Sequence, residues 1–382
     1  MQTARIAIVG AGLSGLYAAF LLEQRGIRDY VLIEGRDTLG GRIASVSGSG
    51  KPVLVTSTVA DGIDRFDMGP AWFWPEYQQQ LDRLVQNLGL QRFEQSETGH
   101  IMVERSPNEP PMRTRGYVSS PTSMRLVGGM GSLIDALRVR LDRARIITGQ
   151  QVCRMRAMDT HIELDSENAG GSVTIWQVRH VLLAMPPRLI EERIEFLPAL
   201  PQALARQWRS TPTWMASQAK YIAIYETPFW REQGLSGEAR SMRGPLGEIH
   251  DASMPGGSAA LFGFFGVSAR ARQDIPESKL RALCRTQLAR LFGPQAAAPK
   301  AEAFKDWAVD PYTSTAADVD GAAQHVDPPA AKADSDPWHG RLTGIASEWS
   351  PQFPGYLAGA IEAASLGVHG LPALTVRDIL VS

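Results

Sequence analysis

The segment Gly10-Ala11-Gly12-Leu13-Ser14-Gly15 constrains this chain more than any other. It has the spacing G-x-G-x-x-G and follows the β-branched, apolar run Arg5–Val9. It opens a stretch in which Leu13, Leu16, Tyr17, Phe20 and Leu21 recur at helical spacing. In a strand–turn–helix unit each glycine has its own steric task. Gly10 permits the tight turn, Gly12 lets the backbone approach a pyrophosphate, and Gly15 lets helix and strand pack closely. The phosphates then lie at the helix N-terminus, beside Leu13 and Ser14, where unpaired N–H groups and the helix dipole favour negative charge. Tyr30–Ile33 reads as a second strand ending in Glu34, about 20 residues past the glycines, where this fold places an acceptor for a ribose hydroxyl. Glycine-rich turns alone are weak evidence. Strand, turn, helix, strand and acid in register point to a dinucleotide site.

The rest of the composition narrows the setting. A chain of 382 residues is long enough for two or three domains. A net charge of -1 gives no electrostatic case for nucleic acid or an anionic membrane as partner. The two cysteines, Cys153 and Cys284, are far apart and lack C-x-x-C spacing, which argues against a disulfide framework and for a reducing compartment. Ile6–Leu22 is apolar enough to suggest a signal peptide, but Glu23-Gln24-Arg25 stands where a small-residue cleavage site belongs. No other run approaches the roughly 18 apolar residues of a membrane span, so the expectation is a cytoplasmic, soluble protein. The seven histidines show no ligand spacing, and neither a metal site nor a G-x-S-x-G nucleophile is expected.

Shortly after Glu34-Gly35-Arg36 the chain reads Gly40-Gly41-Arg42. This order resembles the FAD-binding opening of the flavin-containing amine oxidases, the family of monoamine and polyamine oxidases. A second glycine pair adds backbone donors near a pyrophosphate, and Arg42 offers a planar guanidinium to phosphate oxygens. Further pieces follow in the family's order. Asp67-Met68-Gly69-Pro70, with Ala71 and Trp72, resembles the segment passing close to the flavin ring. Val127–Leu133 is similar to the glycine turn before a helix of the FAD domain. Thr148–Val152 resembles the strand whose valine, here Val152, meets the adenine through its backbone. Val181–Pro187, with Ala184 and Pro186, is similar to the strand and double proline beneath the cofactor. Ser347-Glu348 and Gly355–Ala360, with Tyr356 and Leu357, resemble the closing FAD motif.

The resemblance implies an α/β fold: a discontinuous Rossmann-like FAD-binding domain (1–74, 125–200, 308–382) and a smaller α+β substrate-binding domain (75–124, 201–307). Within the latter, Lys220–Tyr225 reads as a strand and Pro276–Phe292 as a helix ended by Gly293. Ser106–Pro111 reads as a turn. Thr313–Pro337, rich in Ala, Asp and Pro without apolar periodicity, is expected to be an exposed excursion.

Three residues carry the expected chemistry. Lys220, in AKYIAIYETPFWRE, resembles the lysine that holds a water against the flavin's reactive nitrogen, against the ordinary fate of a solvent-facing strand lysine. Tyr356 is similar to one wall of an aromatic amine cage, or else is a core tyrosine; Trp307 lines the site or packs the core. The chain also departs from the family. Ala316 and Ala317 stand where membrane-bound monoamine oxidases have a flavin-linking cysteine and the second cage tyrosine. FAD is therefore expected to be non-covalent, and the cage half-built unless Trp349 or Trp307 substitutes. Ala346 and Trp349 likewise replace smaller residues, which puts simple monoamines in question.

The expected activity is amine oxidation: hydride passes from an amine carbon to FAD, and oxygen returns as hydrogen peroxide. A dehydrogenase or desaturase of the same fold, and a flavoprotein with a decayed site acting as a binding partner, stay open. An amino-acid substrate calls for an arginine clamp, for which Arg231, Arg240 and Arg243 are the candidates. Oligomeric state is not legible.

Overall fold

The computed structural model describes residues 1–53, 64–116, 118–319 and 326–372. In chain order, the elements used below begin with strand β1 (Ile6–Val9), helix α1 (Leu13–Gln24), β2 (Tyr30–Ile33), β3 (Arg65–Asp67), β4 (His100–Glu104) and β5 (Met112–Arg115). They continue with β6 (Ile146–Ile147), β7 (His180–Leu183), β8 (Ala219–Tyr225), β9 (Leu235–Ser241), β10 (Leu246–Asp251) and β11 (Ala259–Phe265). The last are α2 (Glu277–Phe292), β12 (Ala301–Asp306), β13 (Leu342–Gly344) and α3 (Leu357–His369).

The chain divides into two compact units. The first comprises residues 1–41, 134–214 and 323–382, the second residues 42–133 and 215–322. Residues 42–74 thus group with the second unit.

The first unit is built on a parallel sheet in the order β6-β2-β1-β7-β13. All residues of β1 and β2 are buried, as expected of parallel strands covered on both faces. Helices α1 and α3 pack against each other. A second sheet carries the antiparallel strands Gln150–Ala157, Ile162–Asn168 and Val173–Val178. The core joins Val9, Ile33 and Leu183 to Met155, Trp208, Trp338 and Trp349.

The second unit is built on a seven-stranded sheet in the order β12-β8-β11-β10-β9-β4-β5. Its two faces are read by simple alternation along β8. Tyr221, Ala223 and Tyr225 pack with Leu280, Cys284, Leu288 and Leu291 of α2. Ile222 and Ile224 turn the other way, toward Phe66, Met68 and Phe262. Helix α2 starts at Glu277 with Pro276 as its N-cap, and Gly293 ends it. The expected turn at Ser106–Pro111 joins β4 to β5.

One expectation is corrected. Thr313, Ser314, Thr315 and Asp318 are buried rather than exposed, and Ala316–Val319 forms a single helical turn. The Asp318 carboxylate accepts from the Thr315 N–H at 3.0 Å and its hydroxyl at 2.9 Å. Short polar residues there satisfy one another locally, so they need no apolar period to be buried. Residues 320–325 of that stretch lie outside the described residues.

Candidate active site

In the first unit, the turn between β1 and α1 leaves the helix N-terminus without a side-chain cap, and no acidic residue occupies its first turn. Four N–H groups begin any α-helix without an intrahelical partner. Here nothing in the sequence of that turn competes with an incoming anion. A Cβ added at Gly15 would collide with the Gly10 carbonyl oxygen, so this glycine is required by the protein's own packing. A Cβ added at Gly12 would meet nothing closer than 3.9 Å. A methyl at Gly12 would sit in ordinary contact with Gly40 and Gly41, without a clash.

Glu34 closes the same turn. Buried at the end of β2, it accepts the Ala11 N–H at 2.7 Å and the Arg36 N–H at 2.9 Å. Gly35 and Arg36 are half-buried beside it. Gly40 donates its N–H to the Ala11 carbonyl at 2.9 Å and forms a bridge with Gly12, and Gly41 follows. The second glycine pair therefore lies directly against the first. Ala184 continues β7, its N–H bonded to the Val9 carbonyl at 2.8 Å, and Pro186 caps the next helix. Val152 is buried in the strand Gln150–Ala157. Glu348 is buried and accepts the Ser347 hydroxyl at 3.1 Å. Leu357 opens α3, whose N-cap Tyr356 makes no side-chain cap.

Tyr356 is 37% exposed, which removes the core reading of this tyrosine. Its ring lies 6.3 Å from that of Trp214 at an interplanar angle of 31°. Trp214 is the aromatic neighbour that sequence reasoning missed. Trp349 is elsewhere: it packs edge-on against Trp208 in the core and donates to the Ala330 carbonyl at 3.2 Å.

In the second unit the motif segments expected near the flavin ring converge. Lys220 is 1% exposed, and its Nζ donates to the Gly69 carbonyl at 3.0 Å. The ammonium nitrogen also lies 3.9 Å from the centre of the Phe262 ring and 5.4 Å from that of Phe264. Trp307 is buried and donates its indole N–H to the Met68 carbonyl at 3.1 Å. Consecutive carbonyls of one strand-end segment thus hold both side chains. Pro70 and Ala71 follow, and Trp72 donates to Gln95 at 2.8 Å. Arg42 is half-buried.

The electrostatics of this cluster are unusual. Burial is the largest influence on Lys220 and pushes its pKa down to about 7; Asp67 opposes the fall and Arg125 adds to it. Asp67, also fully buried, is pushed up from the ordinary carboxylate value by desolvation, against the pull of Lys220 and Arg125. Its Oδ1 accepts the Met130 N–H at 2.8 Å, in the glycine turn recognised at the sequence level. Arg125 donates to the carbonyls of Ser253 and Ala252 at 3.1 and 3.0 Å. Asp67 stood in a quoted motif without a role; the alternating AALFGFF run was the available signal for Phe262 and Phe264.

The three arginines considered for a carboxylate clamp already hold protein carboxylates: Arg231 with Asp251, Arg240 with Glu238 and Glu248, and Arg243 with Glu104. Among the described residues no group of three or more His, Cys, Asp or Glu is placed to hold a metal ion, and no helix is long and apolar enough to cross a membrane.

Residues 92–366 match the family model described as flavin containing amine oxidoreductase, and residues 8–88 that of an NAD(P)-binding Rossmann-like domain. The chain is similar to a probable flavin-containing monoamine oxidase A of Dictyostelium discoideum, 26% identical over 63% of this chain and 51% of that one. It is also similar to a putative flavin-containing monoamine oxidase AofH of Mycobacterium tuberculosis, 30% identical over 65% of this chain and 52% of the other. The chain spans about half the length of these curated relatives. Among solved structures, wild-type putrescine oxidase bound to putrescine superposes with a TM-score of 0.73 at 20% identity, covering 100% of this chain and 99% of the other. That likeness is one of fold.

Proposed function

Since the chain belongs to the flavin-containing amine oxidoreductase family, we propose that it is an amine oxidase holding FAD without a covalent bond. The observation that carries this reading is Lys220: a lysine buried to 1% exposure, its nitrogen held by the Gly69 carbonyl and an aromatic ring.

The residues fit the cofactor. The side-chain-free backbone of Gly12, the uncapped start of α1 and the backbone of Gly40 and Gly41 suit a pyrophosphate. Glu34 suits the ribose, and Val152, Ala184, Pro186, Glu348 and Leu357 are assigned to the same cofactor. The first unit is read as the FAD-binding part and the seven-stranded sheet as the substrate-binding part. Cys153 and Cys284 are free thiols, Cys284 buried under α2, and neither is assigned to the flavin. Free thiols also support a cytoplasmic location.

Bound FAD would supply the hydride acceptor for the nitrogen-bearing carbon and, on reoxidation by oxygen, the source of hydrogen peroxide. Lys220 is assigned the proton: with its pKa at about 7, it exchanges one near neutral pH, in the role the family resemblance gives a lysine and its water. The Phe262 and Phe264 rings lie beside its nitrogen, and the Gly69 carbonyl orients it. Tyr356, with Trp214, offers an aromatic surface suited to an amine. The imine product hydrolyses in water.

The visible spectrum of the purified protein, followed anaerobically as amines and amino acids are added, tests this. Flavin bands that bleach with amines and recover in air support it. Bands that bleach but recover sluggishly in air favour a dehydrogenase. Absence of flavin, even after FAD is supplied, overturns the reading.

A further inference from the structure

Three strand ends of the second unit meet on one guanidinium. Arg272 lies in the short helix Ala269–Gln273, and its side chain is 2% exposed. Its Nε and Nη2 donate to the two carboxylate oxygens of Asp306, each at 2.9 Å. Nη1 donates to the Val267 carbonyl at 2.6 Å, and Nη2 also donates to the Ser217 carbonyl at 2.8 Å. Asp306 ends β12, Val267 follows β11 by two residues and Ser217 precedes β8 by two. Because β8 runs antiparallel to both neighbours, these points lie at one end of the sheet. Ala219 pairs with Asp306, and the next row is Lys305, Lys220 and Phe264. The clamp therefore stands one register row from Lys220. Alternation puts the Ala219 row on the α2 face, opposite Lys220, so the clamp acts through the backbone rather than by contact.

Trp307 is the residue this clamp holds. The same Asp306 Oδ1 that meets Arg272 accepts the Ala308 N–H at 3.0 Å and caps the turn Trp307–Val309. The Trp307 backbone N–H donates to the Gln218 carbonyl at 3.0 Å, beside the Ser217 carbonyl that Arg272 holds. Lys305, tied to Asp310 at 2.6 Å, sets its ammonium nitrogen 4.6 Å from the centre of the Trp307 ring. The indole N–H then reaches the Met68 carbonyl, next to the Gly69 carbonyl that orients Lys220. A buried ion pair is a weak source of stability, because desolvating two charges offsets their attraction. What the planar fork supplies is direction: paired donors at fixed angles, which neither a lysine nor an apolar side chain offers.

We propose that Arg272 and Asp306 are positioning residues for the reaction: their ion pair fixes the Trp307 indole and the entry of β8, and through these the seat of Lys220. Neither side chain meets the reacting atoms. The inference rests on the proposed function for its kinetic consequence, whereas the placement it assigns to Trp307 exists without substrate.

The test uses the Arg272→Met/Asp306→Leu double variant, in which neither charge is left buried alone, beside Arg272→Lys. Trp307→Phe identifies the Trp307 indole N–H in the proton–nitrogen NMR spectrum of the FAD-loaded wild type. In the double variant, at a melting temperature close to wild type, that signal is expected to move and to exchange with solvent about tenfold faster or more. Its kcat for an amine is expected to fall about tenfold, with KM and FAD content within about twofold. R272K keeps the charge without the fork and is expected to show the same kcat loss; it carries the test if the double variant does not fold. A Trp307 signal that stays in place in a folded variant overturns the inference. So does a signal that moves while an active enzyme keeps its wild-type kcat. A signal that moves in a protein whose flavin no amine bleaches sinks the proposed function and still supports the clamp.

Discussion

The Lys220 ammonium nitrogen rests on the Gly69 carbonyl oxygen at 3.0 Å, across 151 residues of sequence. That single contact ties a strand of the seven-stranded sheet to the end of β3, two residues beyond Asp67. It places a titratable amine where desolvation governs its charge.

Replacing this amine has two separable consequences. Lys220→Met is expected to keep FAD but to lose the kinetic inflection near pH 7 in substrate oxidation or flavin reoxidation, read by stopped flow across pH. Unchanged kinetics in both half-reactions remove Lys220 from the mechanism. Stability shifts as well. The folded-state pKa of about 7 lies below the ordinary 10.5, so below pH 7 folding bears the full cost of burying an ammonium. That cost is relieved as pH rises from about 7 toward 10.5. The melting temperature of K220M relative to wild type should therefore be highest at acid pH and decline through that window.

Asp67 tunes the same amine. Its charge favours the ammonium, so Asp67→Asn is expected to move the Lys220-dependent inflection below pH 7. An asparagine oxygen still accepts the Met130 N–H, so packing is retained. An inflection that stays in place or rises contradicts this account.

Two glycines of one motif should fail differently. Gly12 has an ordinary φ of -72° and an added Cβ would meet nothing closer than 3.9 Å, so Gly12→Ala should leave the apoprotein within about 0.5 kcal/mol of wild-type stability while weakening FAD binding by about tenfold. Gly15→Ala drives a methyl into the Gly10 carbonyl and should cost about 3 kcal/mol or more even without cofactor. Thermal melts of the apoproteins and flavin titrations distinguish them. Matching losses of apoprotein stability at both positions refute the division of labour.

Trp214 braces Tyr356. An aromatic pair contributes about 0.5–1.5 kcal/mol, so Trp214→Ala should raise KM about 2- to 10-fold with FAD content unchanged, and Trp214→Phe should restore most of it. Steady-state kinetics with amines of differing bulk provide the check. An effect confined to kcat points away from a binding surface.

Local information made much of this protein legible. The glycine turn, β1, β2 and Glu34 are contiguous, and their spacing alone encodes a strand, a sharp turn and a helix start. The run Lys220–Tyr225 was legible as a strand, β8, and Pro276 with Gly293 bounded α2. The same local logic failed at Thr313–Asp318, where burial rests on side-chain-to-backbone bonds that leave no period in the sequence. It also left Trp349 open as a cage wall, because an indole's neighbours cannot be counted from its flanks.

Only the tertiary structure decided which residues share a face. Asp67 reaches Met130 across 63 residues, Trp214 finds Tyr356, and three strands bring Lys220, Phe262 and His250 together. Helix and strand periods are properties of neighbours in sequence, whereas these meetings depend on strand order and register. Sequence by itself determined that the chain has a nucleotide turn and a lysine-bearing strand. The closing of long loops determined that this lysine is buried, aromatic-walled and near neutrality, because desolvation is a property of the whole packed sheet rather than of any segment within it.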